Sequence, residues 1–220
     1  GRLKKLKEVN KREIVEGVTE EYMDRRIHVL LDYVKEHSPY YKDHPEWTEL
    51  KDFPVMTKGD FIENYDQVLV DNSEEQGKLY RLSTSGSTGT PFTVLCDGDK
   101  MSRVNMNFIS CMELNGFRMG MKRGEFRAWI KGKNTISKWK SFKNNLIMVD
   151  ISNMGDDSLE KICQDIEKKK IQVLVTYSSA LTALTQYLRK THRDISKWDV
   201  ELVFSMGEAL PQETYDLTKE

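Results

Sequence analysis

Two hydrophobic patterns divide this chain. In its first part, apolar residues recur at helical spacing inside charged segments. Residues 2 to 16 carry sparse apolar positions and predict a surface helix or arm. Over residues 20 to 37, Met23, Ile27, Leu30, Leu31 and Val34 predict one face of an amphipathic helix. Thr19 with Glu20 and Glu21 opens it, and Ser38-Pro39 stops it. Tyr40, Tyr41 and Trp47 predict an aromatic turn packed under a loop. Phe53 to Lys58 reads as extended. Thr57 then predicts the N-cap of a helix from Lys58 to Tyr65, with Asp60 in the capping-box position. Residues 71 to 77 are a polar turn.

The pattern then changes to short apolar runs. Leu79 to Leu82 and Phe92 to Cys96 predict two strands around a Ser/Thr/Gly loop. Asp99 predicts the cap of a helix to about Leu114, with Val104, Phe108, Cys111 and Met112 inside and Asn115-Gly116 as its end. Phe126 to Ile130 predicts a strand. Beyond it the pattern repeats. Strands are predicted at Leu146 to Val149, Ile171 to Thr176 and Val200 to Phe204. Helices follow from Asp157 or Ser158 to Lys169 (Leu159, Ile162, Cys163 and Ile166 inside), from Ala180 to Arg189 (Leu181, Leu184, Leu188), and from Pro211 through Glu220. Alternating helices and uniformly apolar strands predict an α/β fold. It has N-terminal helices, a β-loop-β hairpin, then βα units in a mostly parallel sheet covered on both faces. The division expected is a helical region over 1–78 and an α/β ligand-binding part over 79–220. Ligands of such sheets bind at the carboxyl ends of the strands. Two polar turns fall there: Tyr177-Ser178-Ser179 and Ser205-Met206-Gly207-Glu208.

Composition adds little. Among 220 residues, 34 basic and 35 acidic side chains nearly cancel, so net charge names no partner. Residues 118 to 143 hold nine Lys or Arg and only Glu125 as an acid, which reads as a solvated basic face rather than a nucleic-acid surface. No apolar run approaches the ~20 residues that span a bilayer, and no membrane partner is expected. Cys96, Cys111 and Cys163 are widely spaced and odd in number, which argues against a disulfide framework and for a reducing cytoplasm. The four histidines lack metal-ligand spacing, and no metal ligands are assigned.

The loop carries the chemistry. Ser83, Thr84, Ser85, Ser87, Thr88 and Thr90 bear hydroxyls, and Gly86 and Gly89 free the backbone for close approach. Successive N–H groups and hydroxyls around such a turn make an anion cradle suited to a polyphosphate. It is not a P-loop: Gly86 and Gly89 stand too close, no Lys follows, and a strand comes next. Nor is it a hydrolase elbow, because the order is Gly-Ser-Thr-Gly.

Thr84-Ser85-Gly86-Ser87-Thr88-Gly89-Thr90-Pro91 resembles, at every position, the signature loop of the adenylate-forming enzymes: acyl-CoA synthetases, peptide-synthetase adenylation domains and luciferases. His37-Ser38-Pro39-Tyr40-Tyr41 and Phe53 to Asp60 resemble the entry segments of the phenylacetate–CoA ligase and CapK-like branch. Val173 to Ser179 and Ser205 to Leu210 resemble that branch's later turns. The resemblance covers nearly the whole chain and roughly the first half of such an enzyme.

It implies ATP, Mg2+ and a small-molecule carboxylate as reactants, with CoA as the acyl acceptor. The carboxylate would attack the α-phosphate, pyrophosphate would leave, and a thiol would take the acyl group. Thr84, Ser85, Gly86, Ser87, Thr88 and Gly89 would bind the ATP phosphates. Ser205, Gly207 and Glu208 would border the adenine and acyl pocket, and Tyr177, Ser178 and Ser179 its acyl side. The chain ends on a predicted helix, which reads as a cut. The catalytic residues are expected beyond Glu220, in a C-terminal domain, so residues 1 to 220 alone are expected to be inactive. An oligomer remains open. Two departures favour an alternative, a non-catalytic nucleotide or acyl-binding module: where relatives carry a loop lysine, this chain has Thr90 and Phe92.

Overall fold

The computed structural model describes residues 1–70, 79–83, 92–129 and 135–219. The chain divides into two compact units, Gly1–Cys111 and Met112–Glu220.

The first unit opens with helices α1 (Arg2–Glu16) and α2 (Glu20–His37). Thr19 caps α2 by accepting from the Tyr22 N–H at 3.2 Å. Of its apolar stripe, Leu31 is buried and Ile27 and Val34 are half-buried, whereas Met23 and Leu30 face solvent. The periodicity was broader than the face that finds a partner. The helix stops at Ser38, as Pro39 requires. The fully buried Ser38 hydroxyl lies 3.1 and 3.2 Å from the carbonyls of Gln67 and Val68. Short helices α3 (Pro39–Lys42), α4 (Lys58–Glu63) and α5 (Tyr65–Val68) follow. The stack of His44 on Trp47, centroids 3.9 Å apart, anchors the aromatic turn, which Tyr40, Tyr41 and Phe53 complete. Thr57 and Asp60 close the expected capping box: Asp60 accepts from the Thr57 N–H at 2.6 Å, and Thr57 accepts from the Asp60 N–H at 3.3 Å.

Strands β1 (Tyr80–Ser83) and β2 (Thr93–Cys96) form the expected antiparallel pair. Helix α6 (Gly98–Leu114) comes next. Its cap is Asp97, not Asp99: the Lys100 N–H donates to Asp97 Oδ1 at 2.6 Å. Asp99 instead sits in the first turn and pairs with Arg103 at 2.7 Å and with Arg2. Both aspartates suit a helix start, and the helix begins two residues earlier than a cap at Asp99 implied. Met112 is buried as expected, whereas Val104 is exposed. The Phe117 N–H returns to the Met112 carbonyl at 3.0 Å around Gly116, whose φ is +96°, ending the helix where Asn115-Gly116 predicted.

The second unit is built on β3 (Arg123–Arg127), helix α7 (Lys138–Lys143), β4 (Leu146–Asp150), α8 (Asp156–Lys169), β5 (Val173–Tyr177), α9 (Ser178–Thr191), β6 (Leu202–Met206) and α10 (Gln212–Leu217). The strands lie in the order β4-β3-β5-β6, every pairing parallel. The α/β reading with a mostly parallel sheet holds. On one face, Phe126, Val149 and Leu174 meet Leu159, Ile162, Cys163 and Ile166 of α8 and Leu184 and Tyr187 of α9. Ile166 and Cys163 are wholly inaccessible. Early in α8, Arg193 Nη1 donates to both Glu160 oxygens at 2.6 Å, and the Tyr187 hydroxyl donates to Glu160 at 3.0 Å, pinning α8 to α9.

Several boundaries differ from the sequence reading; β6, for one, runs two residues further, so Ser205 and Met206 are strand rather than turn residues. Strand β3 starts at Arg123 rather than Phe126. Ser178 and Ser179 are the first residues of α9 rather than a turn, because β5 passes directly into the helix. Helix α10 ends at Leu217 rather than reaching Glu220.

Two outcomes test this fold. Asp97→Ala should destabilise the protein by about 1 kcal/mol in urea melts through loss of the α6 cap, and Asp99→Ala should cost less, since its partners are exposed charges. Burial pushes the Cys163 thiol up to about 11. Iodoacetamide at pH 8 should therefore leave Cys163 unmodified in the folded protein and alkylate it in urea, as read by peptide mass spectrometry.

Candidate functional site

The carboxyl ends of β5 and β6 carry the best-defined polar constellation of the second unit. In register, Thr176 faces Ser205 and Tyr177 faces Met206. Beyond this row the two chains are tied by hydrogen bonds. Ser178 is buried, and its Oγ lies 2.9 Å from the Glu208 carbonyl and 2.6 Å from Ser205 Oγ. A serine hydroxyl has one proton. Ser178 donates it to the carbonyl, so Ser205 donates to Ser178. The Glu208 carboxylate accepts the Ser179 N–H at 2.8 Å. It thereby meets an unpaired donor in the first turn of α9, where the helix dipole favours negative charge.

A second hydroxyl pair supports the first. Thr182 Oγ1 lies 2.9 Å from the Ser178 carbonyl and 2.8 Å from Oγ1 of the buried Thr214. By the same proton count Thr182 donates to the carbonyl and Thr214 donates to Thr182, which docks α10 against α9. Neither threonine was singled out from sequence, because a Thr on a helix face has no motif.

Gly207 completes the turn. Its φ is +81°, and a Cβ there would stand 2.9 Å from Cδ1 and 3.1 Å from Cε1 of Tyr177. One edge of the Tyr177 ring lies against bare backbone at a position that favours glycine. The structure thus brings together Tyr177, Ser178, Ser179, Ser205, Gly207 and Glu208, all six of the predicted adenine and acyl residues. Ser179, Gly207 and Glu208 are exposed, and Tyr177 and Ser205 half-buried. Ser205, Glu208, Leu210 and Tyr215 also line a cavity of about 490 Å3 along β6. Backbone N–H groups, hydroxyls and one carboxylate around an aromatic ring can bind a polar planar ligand.

The predicted phosphate-binding residues Thr84, Ser85, Gly86, Ser87, Thr88 and Gly89 lie outside the described residues. Their flanks are described. Ser83 and Thr93 face each other in register, their hydroxyl oxygens 2.7 Å apart. The Phe92 ring lies 6.0 Å from that of Phe61. Both rings line an apolar cavity of about 370 Å3 within the first unit, with Tyr65, Val94, Leu95 and Asp97. Phe92 packs against Phe61 in this cavity wall.

No family model matches the chain. Protein CapK of Staphylococcus aureus is 22% identical over 191 residues, covering 80% of this chain and 42% of its own length. Two crystal structures of 2-hydroxyisobutyryl-CoA ligase, one open and one in the thioesterification state, both with 2-HIB-AMP and CoA, superpose with a TM-score of 0.61. They are 16% and 17% identical, over 86% and 87% of this chain and 44% of theirs. The chain shares part of the fold of that ligase. The chain spans less than half the length of these relatives, and the adenylate-former resemblance read from its loop and strand-end turns agrees with them.

Within that fold, Gly207 is the most sensitive position of the strand-end site. Gly207→Ala should lower stability by about 1–3 kcal/mol, through a strained φ and the Tyr177 contact. Adding Tyr177→Ala should cost less than the two single effects summed, because it removes the clash; additivity in urea melts would contradict the contact.

Proposed function

We propose that this chain supplies the nucleotide- and acyl-binding portion of an ATP-dependent adenylate-forming ligase, one that activates a carboxylic acid and passes the acyl group to CoA or another thiol in a reducing cytoplasm. The observation that carries the reading is the strand-end site: six residues chosen from their likeness to adenylate-former turns converge in a fold of that kind.

The proposed chemistry follows from the groups present. A carboxylate oxygen attacks the α-phosphorus and pyrophosphate leaves. Negative charge grows on the phosphoryl oxygens, so preorganised donors lower the barrier. In this reading the N–H groups and hydroxyls of Thr84 to Gly89 hold the β- and γ-phosphates. Tyr177 offers a ring face and Gly207 the backbone to a planar base or acyl group. The Ser205-Ser178-Glu208 chain keeps both turns in register while the ligand changes. Mg2+, which the resemblance implies, finds no group of three His, Cys, Asp or Glu side chains among the described residues, and it is assigned no ligands here.

A second reading, a binding module without catalysis, draws on Phe92. It stands where the resembled family often carries lysine, and its ring packs against Phe61. Pyrophosphate exchange separates the two. The full-length protein should catalyse carboxylate-dependent ATP–pyrophosphate exchange, and Thr88→Val should reduce it about 100-fold. Residues 1 to 220 alone should give none. ATP binding by the full-length protein without exchange for any acid would favour the module.

A further inference from the structure

We infer that Arg127 reads a second, non-reacting anionic group on the acid, so that the substrate is a dicarboxylic or similarly dianionic acid. The inference rests on the adenylate-forming reading and adds the substrate class to it.

Topology locates the position. The chain leaves β3 toward β4 on one side and leaves β5 toward β6 on the other. Adjacent parallel strands whose exits diverge bracket a ligand crevice at their carboxyl ends. Here those strands end at Arg127 and Tyr177. Glu125 pairs with Val175, the last paired position, and each strand runs two residues further, so by alternation Arg127 and Tyr177 fall on one face of the sheet, on either side of that crevice.

Charge accounting makes it a cation with capacity to spare. Arg123, Glu125 and Arg127 alternate along one face of a central strand. The buried Glu125 serves both arginines: Arg123 Nη2 lies 2.9 Å from Oε1, and Arg127 Nε lies 3.3 Å from Oε2. The latter contact lacks hydrogen-bond geometry and leaves a buried Nε–H without an acceptor. Asp150 stands opposite Arg127 in register, but its Oδ1 is taken by the Ser152 hydroxyl at 2.6 Å and by the N–H groups of Ser152 and Trp129. No Asp or Glu occurs from Ala128 to Val149. Among the described residues the two guanidiniums share one carboxylate, and the Arg127 side chain remains 39% exposed.

Chemistry selects the guest. The reacting carboxylate loses its charge when it becomes an acyl-adenylate. A fixed cation on that group would hold the ground state more tightly than the transition state, which slows the step. An arginine fixed beside the acyl side is useful to an anion that keeps its charge throughout. Its planar fork matches a second carboxylate.

The test compares succinate with butyrate and phthalate with benzoate in ATP–pyrophosphate exchange by the full-length protein. Wild type should prefer the diacid of at least one pair in kcat/KM by about 100-fold, the order of discrimination a charged hydrogen-bonding group gives. Arg127→Gln should abolish that preference by raising the diacid KM, leaving the monoacid and the KM for ATP unchanged, and Arg127→Lys should restore part of it. Preference for monoacids, a preference that survives Arg127→Gln, or a rise confined to the KM for ATP would overturn the inference. Thermal shift with the same acids keeps the two readings apart. No exchange with any acid would count against adenylation alone. Stabilisation by a diacid that Arg127→Gln loses would still support the anion site, and equal stabilisation of both proteins would overturn it.

Discussion

The buried hydroxyl of Ser178 is the hinge-pin of the second unit. It sits at the first residue of α9, directly after β5, and joins two turns that belong to different βα repeats. Its proton goes to the Glu208 carbonyl and its lone pair takes the Ser205 proton, so the buried hydroxyl has a partner in both roles. Such a bond contributes about 0.5–1.5 kcal/mol net, whereas orphaning its partners costs about 1–3 kcal/mol. The Glu208 carboxylate on the Ser179 N–H and the Tyr177 ring on Gly207 then follow, because all three need the β6 turn held at one distance from the start of α9. Together these contacts fix the two strand ends against each other.

A second constraint lies in the middle of the sheet. A parallel sheet usually reads as continuous apolar strands, yet β3 is Arg-Gly-Glu-Phe-Arg and runs between β4 and β5. The fold tolerates this because Phe126 faces the core under α8 while the charges face the other way and share Glu125. Burying unequal charges is costly unless a partner arrives. The unequal count, two cations to one anion, is what gives this strand a chemical reading rather than only a structural one.

Much of the second unit was legible in the sequence. Leu159, Ile162, Cys163 and Ile166 recur at helical spacing, and all four are buried. The polar segments after two apolar runs fall at the strand ends. What misled was local and physical. The apolar weight of Phe126, Trp129 and Ile130 drew β3 three residues too far along the chain, because charged residues in a central strand break the expected pattern. Two aspartates two residues apart made the cap of α6 ambiguous until the Lys100 N–H chose Asp97. Helix α7 gave no signal, since Trp139 and Phe142 are 71% and 84% exposed and form no buried stripe. Met23, Leu30 and Val104 belonged to apolar stripes that remain exposed. Arg127 was legible only as one of nine basic residues. Its singular position depends on strand order, which no local pattern states.

The central claim is that the turns after β5 and β6 form a nucleotide-contacting surface, and hydrogen–deuterium exchange of the full-length protein with and without ATP addresses it most directly. The account predicts slowed exchange in peptides covering residues 176–180 and 204–209, together with the Ser/Thr/Gly loop at 84–89. Binding of ATP with unchanged exchange in both strand-end peptides would contradict it.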